Sequence, residues 1–318
     1  MNKLPIYVTI PTLNAGGHLE ELLDSVQPYV EDIVICDSRS VDNTVDIALR
    51  RGVKIVQRPF ITSSDQFGWM TDNLWKAVDP NLEWGFGMAQ DERFTPSLIE
   101  AIRQQFAEGI PEDVHGFTVN WRLWFMGRPL HAVTRNLRMA RRGKSYVTKV
   151  ACNEHSFVLG RVLHLDGILE HKDTLNLHEW YEKQNLWTTR EAVQRVKPPS
   201  DDEIPRFFGA TRLQRKAFFK VLLGRIPCGE LFRFFYYYIK FGAWNDGWAG
   251  WYWAKLRVWV EHVIQLKVKE MRQYGVPKVL PSGRHGDFDK RVMQSDLQLQ
   301  LLPEIVDVWK QKNRESSI

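Results

Sequence analysis

The fold is decided by residues 5–44, PIYVTIPTLNAGGHLEELLDSVQPYVEDIVICDSRSVDNT, in which two apolar runs flank an amphipathic segment. The runs 5–10 and 32–37 are short and rich in branched residues, which is typical of buried strands. Residues 18–26 place leucine and valine at helical spacing, so we expect a helix between the strands. A third apolar run at 53–56 completes the order β-α-β-α-β, which predicts a doubly wound parallel sheet.

The residues that follow extend this α/β pattern. Residues 65–106 contain two helical patterns separated by a strand pattern at 83–88, and residues 115–160 predict mixed strands and loops. We expect the α/β domain to span residues 1–175. A mainly helical region, residues 176–318, would then contact the acceptor and the membrane surface.

Composition excludes some classes of protein. The three cysteines, Cys36, Cys152 and Cys228, form no CxxC pair, which argues against a disulfide scaffold or a structural zinc site. No apolar run reaches the roughly 18 residues of a membrane-spanning helix, so we expect no integral membrane segment. The net charge is +5. Lys and Arg outnumber Asp and Glu by about three to one from Arg206 to Gly275, which suits nucleotides, nucleic acid or anionic lipid.

Polar segments follow the first two predicted strands, at the edge where an open α/β sheet binds its ligand. These segments are PTLN at 11–14 and DSRSVDNT at 37–44. A carboxylate there can accept from a base N–H or a ribose hydroxyl, while hydroxyl and backbone donors face phosphate. Each segment taken alone also fits a plain turn and helix cap.

Taken together, the two segments resemble the nucleotide-binding signature of family 2 glycosyltransferases. The resemblance implies a GT-A fold and an inverting transfer from a nucleotide diphosphate sugar, with a UDP-sugar as the first expectation. This chain has Arg39 where a small residue is usual and Ala15 where Glu is common. The nucleotide-binding residues that the resemblance implies are Pro11, Thr12, Asn14, Asp37, Ser38 and Asp42.

The segment AQDER, residues 89–93, follows the strand pattern that precedes it. In the same family this strand ends in Asp-x-Asp, whose carboxylates hold a divalent ion against the sugar diphosphate. Asp91 matches the second acid, but Ala89 replaces the first and cannot bind a metal. The resemblance implies Mg²⁺ or Mn²⁺ held by Asp91 with the diphosphate alone, or a charge shared with Arg93. The alternative is that Asp91 caps the helix that begins at Pro96.

Two later segments resemble bacterial family 2 enzymes of the lipopolysaccharide-core type: Asn-Glu-His at 153–155 and LDGILEH at 165–171. Inversion needs a base that takes the proton of the acceptor hydroxyl, and Glu154 is the candidate. An exposed loop carboxylate is its alternative. His171 is a candidate metal ligand or diphosphate contact, or else a hydrogen-bonded structural histidine. Asn153 departs from the family's histidine.

The segment NWRLWFMGR, residues 120–128, resembles the stretch between the family's metal motif and its base. By this resemblance Arg122 would hold phosphate, and Trp121 or Trp124 would stack on a sugar ring. A plain strand packed in the sheet is the alternative.

The region from Phe232 to Trp253 is about half aromatic and carries interleaved Lys and Arg, which favours a membrane interface, although intramolecular core must account for part of it. Gly242, Gly247 and Gly250 interrupt the region, so we expect two short helices around a turn. The same bacterial family has a Tyr-rich helix, a Gly-Asp-Gly-like turn and a basic helix at this place.

The leading interpretation is sugar transfer to a lipid-linked glycan, in lipopolysaccharide-core or exopolysaccharide synthesis. We expect a cytoplasmic protein that is peripheral on the inner face of the membrane. A catalytically inactive nucleotide-sugar-binding or scaffold protein is the alternative that Ala89 favours. An RNA-binding module would also explain aromatic residues beside basic ones, but no RNA-binding motif accompanies them, so no nucleic acid partner is expected.

Overall fold

The computed structural model describes most of the chain. The described parts are residues 3–147, 156–172, 176–197, 229–278 and 284–315, with the isolated positions 215, 218 and 222. Among the helices of these parts, none is both long enough and apolar enough to cross a bilayer.

Ten strands are described, and eight of them form one mixed sheet. They are β1 (Leu4–Thr12), β2 (Val30–Asp37), β3 (Lys54–Gln57), β4 (Trp84–Gly87), β5 (Glu92–Phe94), β6 (Val114–Phe125), β7 (Arg128–Arg141), β8 (Ser145–Val147), β9 (Ser156–Val158) and β10 (Arg161–His171). The sheet order is β3-β2-β1-β4-β7-β6-β10-β5, and β8 pairs with β9 separately. The strands β3, β2, β1 and β4 run parallel, as do β6 and β10. The remaining pairs are antiparallel.

The described helices flank the sheet and form the later part of the chain. They are α1 (Leu19–Val26), α2 (Thr44–Arg50), α3 (Ser63–Asn73), α4 (Pro96–Glu108), α5 (Leu177–Val196), α6 (Gly229–Phe235), α7 (Gly247–Tyr274), α8 (Lys290–Met293), α9 (Asp296–Leu301) and α10 (Pro303–Glu315). A π-helical segment, Tyr236–Lys240, and a 3₁₀ turn, Ala243–Asp246, connect α6 to α7.

Alternating side chains of the parallel strands build two cores on opposite faces of the sheet. Ile33 and Ile35 of β2 join the core that contains α1, α2 and α4. Val34 and Cys36 join the core on the other face, beneath α3 and the C-terminal helices. The expected α/β architecture, a mostly parallel sheet with a helical C-terminal region, is therefore confirmed.

Side-chain caps fix where α4 and α5 begin. The Thr95 hydroxyl accepts from the Leu98 amide at 3.3 Å, and Pro96 occupies the first helical position. Because Thr95 caps α4, the alternative role of Asp91 as the cap of this helix is wrong. The Asn176 side chain accepts from the Glu179 amide at 2.9 Å and so begins α5.

Two helices flank a turn in the aromatic region, as expected, but the second is not short, because α7 runs for 28 residues. Gly247 begins this helix with a φ of +58°, a conformation that glycine adopts without strain. Gly250 lies inside the helix, where a Cβ would stand 1.8 Å from the Ala243 carbonyl oxygen. This glycine permits close packing of the helix on the preceding turn and does not break it.

The C-terminal residues return to the edge of the sheet at β3. The Gln298 side chain accepts from the backbone N–H of Gln57 at 2.8 Å and donates to its carbonyl at 2.8 Å. The Asp289 amide donates to the Gln57 side chain at 2.7 Å. One glutamine of α9 thus hydrogen-bonds the edge strand as a neighbouring strand would.

Candidate functional site

The loops that follow β1, β2 and β4 meet at the carboxyl ends of the parallel strands. Hydrogen bonds to Asp37 join the first two of these loops. Its carboxylate is fully buried. One oxygen accepts from the Thr12 hydroxyl at 2.9 Å and the Ser40 hydroxyl at 2.5 Å. The other accepts from the Ser40 amide at 3.0 Å and the Gln57 side chain at 2.8 Å. Asp37 therefore organises the loops from within, while Pro11 and Thr12 end β1 beside it.

The loops after β1 and β2 each contain a residue with left-handed backbone conformation. Asn14 has a φ of +51° and Arg39 a φ of +64°. The Asn14 side chain accepts from the Val41 amide at 2.9 Å, which links the two loops. The positive φ of Arg39 and of Asn14 is unusual for residues other than glycine, because a Cβ is crowded in this conformation.

Asp42 and Ser38 complete the joined loops. Asp42 is exposed, and it accepts from the Gly16 amide at 2.8 Å and the Thr44 hydroxyl at 2.5 Å. Ser38 is buried, and its amide donates to the Thr12 carbonyl at 2.8 Å. Both residues hold the loop backbone in shape at the edge where the nucleotide is expected.

The third loop, residues 88–91, is joined to the first through Gln90. The Gln90 side chain accepts from the Leu13 amide at 2.8 Å and donates to the Leu13 carbonyl at 3.3 Å. The polar segments that the sequence singled out after β1, β2 and β4 therefore form one continuous edge. No sequence motif indicated this contribution of Gln90.

Asp91 lies at the centre of a cluster of basic side chains, Lys183, His171 and His18. Its carboxylate is buried, accepts from the Lys183 ammonium at 2.8 Å, and lies 3.2 Å from Nε2 of His171. Burial raises the pKa of Asp91, but the charges of His171 and Lys183 outweigh burial and hold that pKa well below its usual range. His18 lies close by, and burial lowers the pKa of its imidazole. Asp91 is therefore a stable carboxylate.

Arg93 lies beside this cluster but points into the protein. Its side chain is only 4% exposed, donates to the His18 carbonyl at 2.8 Å, and forms an ion pair with Glu21 at 3.2 Å. These contacts attach the start of α1 to β5. A direct contact between Arg93 and a diphosphate stays a prediction.

Arg122 and the two tryptophans lie in β6. The Arg122 guanidinium donates to Glu170 of the neighbouring strand at 2.5 Å. Trp121 stacks at a tilt on His171, with ring centroids 4.6 Å apart. Lys172 lies over the Trp124 ring at 4.6 Å. The phosphate role of Arg122 and the sugar-stacking role of the tryptophans stay predictions.

The described residues do not fit a divalent metal centre. Ala89 offers no ligand, and both oxygens of Asp91 already contact protein groups, the Lys183 ammonium and the His171 imidazole. Nowhere in the described ranges do three or more His, Cys, Asp or Glu side chains come together in a way that could hold a metal ion. The expected base, Glu154, and its neighbour Asn153 lie outside the described residues.

Two elements near the site contain no recognisable motif, so the sequence did not predict their contribution. Helix α5 brings Lys183 to Asp91, and one face of the same helix places Arg190 5.1 Å from the Phe60 ring centroid. The C-terminal segment brings Nδ1 of His285 to within 2.8 Å of the Ser38 carbonyl oxygen. Only the fold joins these distant segments to the loops.

Comparison with known proteins finds no matching family model. Among curated proteins, the chain is similar to an uncharacterized glycosyltransferase of Rickettsia typhi, at 19% identity over 210 residues, 62% of this chain and 69% of the relative. An uncharacterized glycosyltransferase of Rickettsia prowazekii is 20% identical over 214 residues, with the same shares covered.

Solved structures were compared as well. Glucosyl-3-phosphoglycerate synthase from Mycobacterium tuberculosis, in complex with Mn²⁺, UDP and glucosyl-3-phosphoglycerate, matches with a TM-score of 0.37 and 15% identity over 61% of this chain and 81% of that one. S. aureus TarS matches with a TM-score of 0.38 and 11% identity over 81% of this chain and 55% of that one. The α/β fold expected for a GT-A enzyme is present in this chain. The curated relatives confirm the expected enzyme class, a glycosyltransferase.

Proposed function

We propose that the chain is an inverting glycosyltransferase that moves a sugar from a nucleoside diphosphate sugar, first of all a UDP-sugar, to a lipid-linked glycan. The acceptor would be a lipopolysaccharide-core or exopolysaccharide intermediate at the cytoplasmic face of the membrane. The observation that carries this proposal is the union of three loops at one edge of the sheet. Asp37, Gln90 and Asn14 tie those loops together.

The proposed reaction is a single displacement. The acceptor hydroxyl oxygen bonds to the anomeric carbon while the bond from that carbon to the β-phosphate oxygen breaks. The electron pair leaves with the nucleoside diphosphate, and the hydroxyl proton passes to Glu154. Positive groups around Asp91 oppose the negative charge that grows on the leaving diphosphate.

Calorimetric titration with UDP, GDP, dTDP and CMP, each with Mn²⁺ and again with EDTA, tests the donor site. We expect one nucleoside diphosphate to bind at least tenfold more tightly than the others, because the joined loops present fixed polar groups to one base. If the folded protein binds none of the four under either condition, the transferase proposal fails and the inactive scaffold replaces it.

Glu154→Gln tests the proposed base. This variant should lose at least a hundredfold in transfer rate, since removal of a general base typically costs about 10²–10⁴. Its affinity for the nucleoside diphosphate should stay unchanged. Glu112→Gln, an exposed carboxylate before β6, is the control and should transfer normally. Normal turnover by Glu154→Gln would show that another group takes the proton.

The acceptor side of the proposal is supported by an aromatic surface around the α6–α7 connection. Its exposed side chains lie beside the exposed cations Lys240 and Lys255. Aromatic rings suit the headgroup depth of a bilayer, and the two lysines suit anionic lipid. We define this aromatic surface by the exposed side chain of Ile239 together with the exposed rings of Phe232, Phe235, Tyr236, Trp244, Trp248, Trp251 and Tyr252.

A further inference from the structure

Asp91 is paired with an ammonium at the position where a metal was expected. The carboxylate is buried in the protein, whereas 44% of the Lys183 side chain is exposed. Lys183 is therefore the solvent-accessible member of this ion pair. Since the Arg93 side chain is only 4% exposed, it is far less accessible than Lys183 to a ligand in solution.

The charges balance without a divalent ion. Two carboxylates (−2) and one divalent cation (+2) have a net charge of zero. One carboxylate (−1) and one ammonium (+1) also have a net charge of zero. Replacement of the first acid by Ala89 removes one negative charge, and Lys183 in place of a divalent ion removes one positive charge. The two differences match, so the Asp91–Lys183 pair has the same net charge as two carboxylates with one divalent ion.

The chemistry of an ammonium suits this position. Lysine is a compact point charge with three N–H donors, so one ammonium can contact a carboxylate and a phosphate oxygen together. Asp91 orients Lys183 at 2.8 Å, and Asp91 is itself fixed by the backbone N–H of Lys172, which donates to its carbonyl at 2.8 Å. The cation therefore contacts a carboxylate whose own backbone is hydrogen-bonded to the residue that follows β10.

We propose that Lys183, held by Asp91, binds the diphosphate of the donor in place of a divalent metal ion. The inference rests on the proposed function and names the group that meets the leaving diphosphate. Lys183 then supplies positive charge to the β-phosphate oxygen as its bond to the anomeric carbon breaks. No metal takes part in that step.

The test compares wild type, Lys183→Ala and Lys183→Arg by calorimetry in EDTA and again with Mn²⁺. The probes are the nucleoside diphosphate that wild type binds and the nucleoside alone. Wild-type affinity should be the same in EDTA and Mn²⁺ within twofold. Lys183→Ala should bind the diphosphate at least tenfold more weakly in EDTA and the nucleoside equally well, and Lys183→Arg should recover part of the loss.

Lys197→Ala is the matched control, because it removes one exposed positive charge just after the other end of α5. It should bind as wild type. Circular dichroism and thermal melting verify folding, and Lys183→Gln replaces the alanine variant if that one does not fold. Wild-type binding that requires Mn²⁺, or unchanged EDTA binding by Lys183→Ala, would overturn the inference alone. If wild type bound no nucleoside diphosphate at all, both this inference and the proposed function would be wrong.

Discussion

At the scale of single residues, Asp37 shows how one buried carboxylate can join several segments at the edge of a sheet. It accepts from the Thr12 hydroxyl, from the Ser40 hydroxyl and amide, and from the Gln57 side-chain amide. Four donors around one buried carboxylate fix the ends of β1, β2 and β3 relative to each other. Asp37 therefore positions the loops, and its expected contact with a nucleotide stays a prediction.

Asp37→Asn should lower the free energy of unfolding by about 2–3 kcal/mol, because its amide group would face donors where the carboxylate accepted. Urea denaturation followed by circular dichroism measures the change. Asp72→Asn on the exposed side of α3 is the control and should shift stability by less than about 0.5 kcal/mol. Equal stability of Asp37→Asn and wild type would show that these hydrogen bonds contribute little.

At the scale of elements, the pairing of α5 with α7 determines where Lys183 lies. Apolar contacts join the two helices, and Lys267 of α7 adds a polar one. Its ammonium donates to the Asn185 carbonyl and side chain at 2.8 and 2.7 Å, and to the Thr188 and Thr189 hydroxyls at 2.9 and 2.8 Å. Burial lowers the pKa of Lys267, and the charge of Glu270 opposes this effect.

Lys267→Met keeps most of the aliphatic stem but removes the ammonium, and it should destabilise the fold by about 1–3 kcal/mol. Thermal and urea unfolding provide the measurement. Lys269→Ala, exposed on the same helix, is the control and should leave the melting temperature nearly unchanged. A Lys267→Met protein as stable as wild type would mean that apolar packing alone holds α5 against α7.

The elements also show what could be predicted from the sequence. The strands β1 to β4 and helix α1 were predicted within a few residues, since apolar periodicity is a local property of the chain. Lys183 could not be predicted, because its contact with Asp91 spans 92 positions and no spacing rule connects them. Gly250 misled the prediction of helix length, because the reason for this glycine is close packing on Ala243.

At the scale of the whole molecule, the exposed aromatic surface and the Asp91 cluster belong to different parts of the chain and to different elements. The Trp244 and Trp248 side chains on this surface are 57% and 52% exposed. Other rings of the region pack inward, as Trp253 does against Ala243 and the β7 side chains Leu130 and Ala132. The region therefore serves both as core and as exposed surface.

The double variant Trp244→Ser/Trp248→Ser should bind phosphatidylglycerol-containing vesicles at least tenfold more weakly than wild type, because interfacial burial of two rings is lost. Cosedimentation with these vesicles, with pure phosphatidylcholine vesicles and with an oligonucleotide measures the preference. Tyr274→Ser, which is 77% exposed at the other end of α7, is the control. Equal binding by the double variant, or wild-type binding to the oligonucleotide alone, would contradict a membrane role for this surface.

The hydrogen bonds between Gln57 and Gln298 have a consequence for biosynthesis. They join residues 241 positions apart and cover β3, which is an edge strand of the sheet. At a synthesis rate of about 5–20 residues per second, the partner of this edge leaves the ribosome roughly 12–48 s after β3 does. Throughout that interval the nascent chain carries an uncovered strand edge, a template for aggregation. Ribosome-associated chaperones are therefore expected to occupy β3 until α9 has been made.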